Sequence, residues 1–407
     1  MIVSRRKLIT NGLAASAVGA SCIGIDSIVP QSFAFAPPTN DAARASDRIL
    51  VVIQLSGGND GLNTLVPVKD DRYYAARPEL AIAKHSTLSV GHELHLHPSL
   101  RPLETLFENG LMSVVQNTGY ENPNRSHFES MDIWHTCRRK TSRRQSGWLG
   151  RLLTSRAESG GDVPGLHIGG EQQPLALKSR TLALPSVTSL EDFSLKSRQA
   201  DQLGELLKSP ATQSNSELLD FIQDNTSTAM VASERVADAA GSTNKHEYPD
   251  NALSKKLQSV ARLIESGLTT SVYYLSLDGF DTHAKQPAAH SALLNSWASS
   301  LASFVKDLEL QGNAQRVCVM TFSEFGRRVK ENASSGTDHG AAAPMFLTGH
   351  GLSAPVHGGP PNLEDLVDGD LKHEFDFRQV YAGIIRDWLG AEPKSVVGSF
   401  EPLQLFT

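Results

Sequence analysis

Four short stretches of this sequence combine carboxylates, imidazoles and glycines in the proportions a metal centre needs. Gly57-Gly58-Asn59-Asp60-Gly61 offers Asp60, a hard anionic oxygen, in a turn whose glycines let the backbone approach a ligand closely. Asp278-Gly279-Phe280-Asp281-Thr282-His283 places Asp281 and His283 two residues apart, a spacing that lets both reach one ion. Phe322-Ser323-Glu324-Phe325-Gly326-Arg327 offers Glu324 as a ligand and Arg327 as a holder of an anionic substrate group. Thr337-Asp338-His339-Gly340 sets Asp338 beside His339; neighbours point in different directions, so they would serve two metals, or one metal and one supporting hydrogen bond. Each cluster alone also reads as a turn, an Asx cap or a helix-start carboxylate. The donor set lacks thiolates, which favours Zn, Mn, Fe or Mg.

A nucleophile is offered by Asn122-Pro123-Asn124-Arg125-Ser126-His127-Phe128, which reads as the opening of a helix. Ser126 there would meet the amides and dipole of a helix N-terminus, with His127 adjacent and Arg125 as an anion clamp. The plainer reading of Ser126 is an N-cap. No G-x-S-x-G elbow, P-loop or G-x-G-x-x-G is present.

These clusters need elements to bring them together. Ile49 to Leu55 is a continuous β-branched run that ends at the first glycine cluster, the pattern of a strand buried on both faces. Further strands are expected over Leu111–Gln116, Ser271–Leu277, Arg316–Phe322 and Pro344–Leu347. Helices are expected over Pro98–Asn109, Leu253–Ile264 and His290–Leu310. Phe377, Val380, Tyr381, Ile384, Ile385 and Trp388 fall at helical spacing behind Asp376 as cap. This alternation predicts a three-layer α/β sandwich with a mostly parallel central sheet. Ligands of such sheets gather beyond the carboxyl ends of the strands, and all four clusters sit at expected strand boundaries on that edge. Residues 160–250, poor in long periodic segments, are expected to form a peripheral insertion with a mobile connector from Ala239 to Asn251.

The start of the chain is expected to be an address. Arg5-Arg6 precedes a weakly apolar run and the small-x-small pattern Ala34-Phe35-Ala36, the signature of a twin-arginine signal over residues 1–36 and of a periplasmic or secreted protein. Its partner during export would be the twin-arginine translocase. Asp26 and several glycines argue against a permanent membrane span. The 407 residues carry a formal charge of −6; without the first 36 the value is near −8. That balance argues against a general nucleic-acid binder. A basic run, Arg138 to Arg144, and the trio His92, His95 and His97 read first as a solvated face and an exposed turn. Attraction of an anionic polymer is the other reading of the basic run.

In combination, several segments resemble the exported bacterial proteins grouped as domain of unknown function 1501. They are Gln54 to Asn63, Arg77-Pro78-Glu79-Leu80-Ala81-Ile82, Ser126-His127-Phe128, Ser146 to Arg151, Asp281-Thr282-His283, Met320 to Arg328, Thr337 to Gly340 and Asp376-Phe377-Arg378. The resemblance spans nearly all of residues 48–407. It implies an alkaline-phosphatase-like fold, a Ser, Thr or modified Cys nucleophile, and one or two metals held by Asp and His. By that likeness Ser126 stands at the nucleophile position, and Asp60, Asp281, His283, Asp338 and His339 at ligand positions. Glu324 stands where an Asp-His pair is expected, and Asp281 and His283 are unusually close in sequence, so one metal, a different metal or a degenerate site remain alternatives. The expected function is hydrolysis of an anionic phosphate or sulfate ester, on a small molecule or a polymer. The alternative is a non-catalytic metal- or ligand-binding envelope protein.

Overall fold

Every residue of Ile49–Ser56 except the last is buried, as its β-branched composition demands of a strand covered on both faces. In the computed structural model, which describes residues 47–156, 163–190, Val236 and 239–407, this strand, β1, lies inside a nine-stranded sheet. The others are β2 (Met112–Gly119), β3 (Gly165–Ile168), β4 (Ser186–Val187), β5 (Val272–Asp278), β6 (Val317–Phe322), β7 (Ala343–Thr348), β8 (Val356–His357) and β9 (Phe375–Asp376). Their order is β8-β2-β7-β6-β1-β5-β3-β4, with β9 also on β2. All pairings are parallel except those of β7 with β2 and β6.

That register decides where the loops go. β1, β5 and β6 run the same way, so the segments after Ser56, Asp278 and Phe322 leave from one edge. β7 runs against β6, so the segment before Ala343 enters at that edge too. β2, reversed again relative to β7, ends there at Gly119. The segment after Phe322 is the one that enters before Ala343, so four loops share one edge, the place where open α/β sheets bind ligands.

Helices cover both faces. Thr321 of β6 lies opposite Phe346 of β7, so Phe346 and the adjacent Phe322 point to opposite sides. Phe322 stacks on Trp134 of α2 (His127–Thr136). Trp134 stacks in turn on Phe377 of α6 (Phe377–Gly383), and Tyr381 of α6 stacks on Trp148 of α3 (Trp148–Arg156). On the other side Phe346 meets Trp297 of α5 (Gln286–Gln311), beside which α4 (Ala252–Glu265) packs. The remaining helix used below, α1 (Gly61–Thr64), is a single turn capped by Asp60. Asp376 and Gln379 close a capping box at the start of α6. No helix among the described residues is long and apolar enough to cross a membrane.

The structure corrects four expectations. Pro98–Asn109 is not one helix: Pro102, which lacks an amide hydrogen, confines Pro98–Leu103 to 3-10 geometry before a short α-helix at Glu104–Glu108. α5 begins at Gln286 rather than His290, because Pro287 suits a first turn that carries no apolar periodicity. The expected insertion supplies β3 and β4 to the main sheet, so that part is not an appendage. The connector from Ala239 is tied down, since the buried Asp307 carboxylate accepts from the Asn244 amide (2.8 Å), the Lys245 backbone (2.9 Å) and the Tyr248 hydroxyl (2.9 Å). Residues 1–46 and 191–235, where the export signal and about half of the insertion fall, lie outside the described residues. Cys137 and Cys318 are buried and unpaired.

Three buried histidines are held neutral by burial: His135 is pushed down to about 3, and His97 and His290 to about 4. As pH falls below about 6.5 the unfolded chain takes up those protons first, so stability present above 6.5 is lost toward pH 4. Among the histidines only His127 has a raised pKa and acts in the opposite direction, as does the carboxyl of Asp370, raised by burial. Denaturant unfolding at pH 7, 5.5 and 4 is expected to show a falling midpoint; a flat profile contradicts the neutral assignment.

Candidate metal centre

Asp281 is the hub of the loop edge. Its Oδ1 lies 3.0 Å from His283 Nε2, 3.0 Å from His339 Nε2 and 3.4 Å from His127 Nε2. His283 Nε2 and His339 Nε2 are themselves 2.9 Å apart. Burial alone would raise the Asp281 carboxyl, but its close contacts with His339 and Arg327 and the nearby positive charge hold it down at about 2.

The outer ring nitrogens fix the tautomers. His127 Nδ1 meets Glu324 Oε1 at 2.9 Å, His283 Nδ1 meets Asp338 Oδ1 at 3.2 Å, and His339 Nδ1 meets the Arg125 carbonyl at 2.7 Å. A carbonyl only accepts, and so does an ionised carboxylate, so each Nδ1 carries the hydrogen. In the neutral ring each Nε2 then presents a lone pair inward. Imidazoles whose far nitrogen donates to a carboxylate or carbonyl are the usual form of metal-ligating histidine. The burial of His127 Nε2 without a hydrogen-bond partner adds to this. Bonds of about 2.0–2.2 Å to a shared cation would place donors about 3.0–3.5 Å apart, close to the spacings found. The donor set therefore fits a divalent metal held by His127, Asp281 and His339, whose ligand atoms all lie within 4.8 Å of one another, with His283 against the same Asp281 oxygen.

The sequence folds this way because glycine lets the loops touch. Gly57 has φ +116°, and a Cβ there would press on the Asp281 amide nitrogen. Glu324, fully buried, accepts from the Gly57 amide (2.9 Å) as well as from His127. Arg327 is also buried. It donates to the carbonyls of Gly57, Gly58 (2.7 Å), Phe280 (2.8 Å) and Thr337 (2.8 Å) and to Asp281 Oδ1 (2.8 Å), so one guanidinium fastens three loops.

The family described as "Protein of unknown function (DUF1501)" matches residues 111–370, well over half of the sequence. The chain belongs to that family. No curated protein matches it. Among solved structures it is similar to the C-terminal periplasmic domain of EcEptC from Escherichia coli in complex with Zn (11% identity, TM-score 0.35, covering 75% of this chain and 73% of that one). It is also similar to PsFucS1 sulfatase from Pseudoalteromonas sp. (12%, 0.39, 89% and 72%) and to a protein in the alkaline phosphatase superfamily from Vibrio parahaemolyticus (11%, 0.39, 88% and 70%). All four donors of the centre fall inside the DUF1501 match, and Asp60 falls outside it.

The expected site residues of this DUF1501 chain divide by place. Asp281, His283 and His339 converge. Glu324 and Asp338 stand one step out, each holding a histidine. Asp60 stands deeper, fully buried and paired with Arg77 (2.6 Å), whose charge, against the cost of burial, keeps the carboxyl low. Ser126 is exposed at the N-cap position of α2, but its side chain makes no cap bond. Arg125 is paired with Asp370 (2.5 Å), and each guanidinium nitrogen of Arg327 is engaged within the fold. The basic run is likewise engaged in part: Arg144 binds Glu129 and Asp132, and Arg139 reaches the Glu121 and Asn122 carbonyls. His127 is the donor that sequence reading missed as a ligand; its signal was an imidazole at a helix start on the same sheet edge.

Replacing Glu324 with Ala frees the His127 ring and the Gly57 amide together. Zinc affinity, measured by competition with a chromophoric chelator, is expected to fall about 10–100-fold. Unchanged affinity contradicts the assignment of Glu324 as the group that orients His127.

Proposed function

We propose that this chain is an exported, metal-dependent hydrolase of an anionic phosphate or sulfate ester. The observation that carries the reading is the convergence of three imidazole lone pairs on one carboxylate oxygen at the ligand edge of the sheet, with the buried His127 Nε2 left unpartnered. A divalent cation bound there supplies Lewis acidity, polarising an ester oxygen and lowering the pKa of a hydroxyl or water.

The residues of the chain do the rest. His127, His283 and His339 are pre-oriented by Glu324, Asp338 and the Arg125 carbonyl, so binding requires little rearrangement. Ser126 precedes His127 directly, which puts its Cα about 3.8 Å from that of a ligand. Its hydroxyl is not committed to capping and is available as the nucleophile. The first amides of α2 have no intrahelical acceptor and supply the donors for developing negative charge. Export through the twin-arginine pathway is supported by Arg5-Arg6 and the small-residue pattern at Ala34 to Ala36.

One observation favours the second reading, a metal-binding protein without turnover: the two arginines expected to clamp the anion are engaged within the fold. The readings separate on Ser126. Protein prepared without chelator is expected to carry about one equivalent of metal per chain, and to lose most of it in the His127→Ala/His339→Ala variant. Ser126→Ala is expected to keep the metal and the thermal midpoint, because no cap bond is lost, while hydrolysis across a panel of phosphate and sulfate esters falls at least a hundredfold, as an estimate for removal of a nucleophile. Metal without any hydrolysis in the wild type would select the non-catalytic reading.

A further inference from the structure

Beneath the metal centre lies a side chain that touches none of its donors yet reaches two of the loops that carry them. Gln286, the first residue of α5, is fully buried. Its Nε2 donates to Asp60 Oδ2. Its Oε1 accepts from Thr282 Oγ1 (3.1 Å) and from Thr337 Oγ1 (2.6 Å). Thr282 stands between Asp281 and His283, and Thr337 directly precedes Asp338 and His339.

The amide has one orientation open to it. Asp60 is ionised beside Arg77 and only accepts, so the amide nitrogen must face it and the amide oxygen must face the two hydroxyls. A flipped amide would set oxygen against carboxylate in a buried site, where an unmet polar contact is most costly. Arg77 is itself fixed by Asn63 Oδ1 (2.8 Å) and by the carbonyls of Arg328 (2.8 Å) and Val329 (2.9 Å). The backbone supports the same join, since the Gln286 amide donates to the Ser335 carbonyl (2.9 Å) and the Thr337 amide to the Thr282 carbonyl (3.3 Å). The chain Arg77–Asp60–Gln286 thus ends on two hydroxyls, one in each ligand loop.

We propose that Gln286 is a positioning residue for the metal centre: it sets the separation of the Asp281–His283 loop from the Asp338–His339 loop, and through it the buried Asp60 governs metal affinity without touching the ion. This inference rests on the metal-centre reading above. It assigns to Asp60, expected from sequence to bind metal itself, an indirect part in the same chemistry.

The test uses the full chain, loaded with zinc in competition with a chromophoric chelator and, separately, with cobalt(II) for its visible spectrum. Gln286→Met keeps length and removes both donor and acceptor; Thr337→Val removes one hydroxyl at constant shape; Thr337→Ser retains it. Gln286→Met and Thr337→Val are each expected to weaken zinc about 10–100-fold and to shift the cobalt bands. Thr337→Ser is expected to restore both readouts to wild type. The double variant Gln286→Met/Thr337→Val should be no weaker than Gln286→Met alone, because Gln286→Met already removes the bond that Thr337→Val breaks. If Gln286→Met fails to fold, the Thr337 pair decides the matter. Wild-type affinity and spectrum in Thr337→Val would overturn the positioning role while leaving the metal centre standing. Absence of zinc binding by the wild-type chain would overturn both.

Discussion

Three imidazole lone pairs and one carboxylate oxygen directed at a common point cannot coexist comfortably without positive charge between them. That constraint organises the loop edge of this protein. Asp281 supplies the negative charge, with its carboxyl held near the bottom of the carboxylate range, and His127, His283 and His339 surround it. A single proton can bridge one nitrogen pair, such as His283 and His339 at 2.9 Å, but it leaves His127 Nε2 buried and unmatched. A metal ion would satisfy His127, Asp281 and His339 together. The buried Arg327 offsets part of the charge from beneath, and its other bonds hold the glycine turn and the Phe280 and Thr337 carbonyls in place.

The remainder of the fold makes that convergence possible. Parallel pairing of β1 with β5 and β6 delivers two donor loops to one edge, and the reversed strand β7 admits the loop that carries His339. Beneath them is a layer of buried polar groups rather than an apolar floor. The Asp60–Arg77 pair, Gln286, Asn59 and His290 bond to one another or to the loops above. Removing one partner of such a buried ion pair typically costs about 3–5 kcal/mol, because the other charge is left unmet. The layer therefore links the integrity of the sheet edge to the geometry of the site. The aromatic stacks of Trp134, Trp148, Phe377 and Tyr381 perform the corresponding service for α2, whose first residue is the donor His127.

Much of this was legible in residue type and order. The strands that frame the site announce themselves as short apolar runs, and Asp281, His283 and His339 could be singled out because their clusters share one expected sheet edge, although each alone also reads as a turn or a cap. What sequence could not separate was a ligand from the partner of a ligand. Glu324, Asp338 and Asp60 have the same chemistry as Asp281, and only their tertiary neighbours assign one to a histidine ring, one to another ring and one to a buried guanidinium. His127 was seen only as a companion of Ser126, because its inward nitrogen depends on Glu324, 197 residues away. Arg125 and Arg327 were expected to face a substrate; local sequence cannot reveal that carbonyls and an aspartate elsewhere would occupy their hydrogens. Gln286 was invisible for a related reason, since it lies ahead of the apolar periodicity that marks α5.

The most direct measurement of the central claim is the protonation state of the three rings. Long-range 1H–15N correlation spectra of the metal-free protein, with the histidines assigned by substitution, distinguish Nδ1–H from Nε2–H imidazole. The account predicts Nδ1–H forms at His127, His283 and His339 at neutral pH, and a shift of all three Nε2 signals on addition of one equivalent of zinc. An Nε2–H tautomer at His127, or rings whose Nε2 signals ignore the metal, would contradict it.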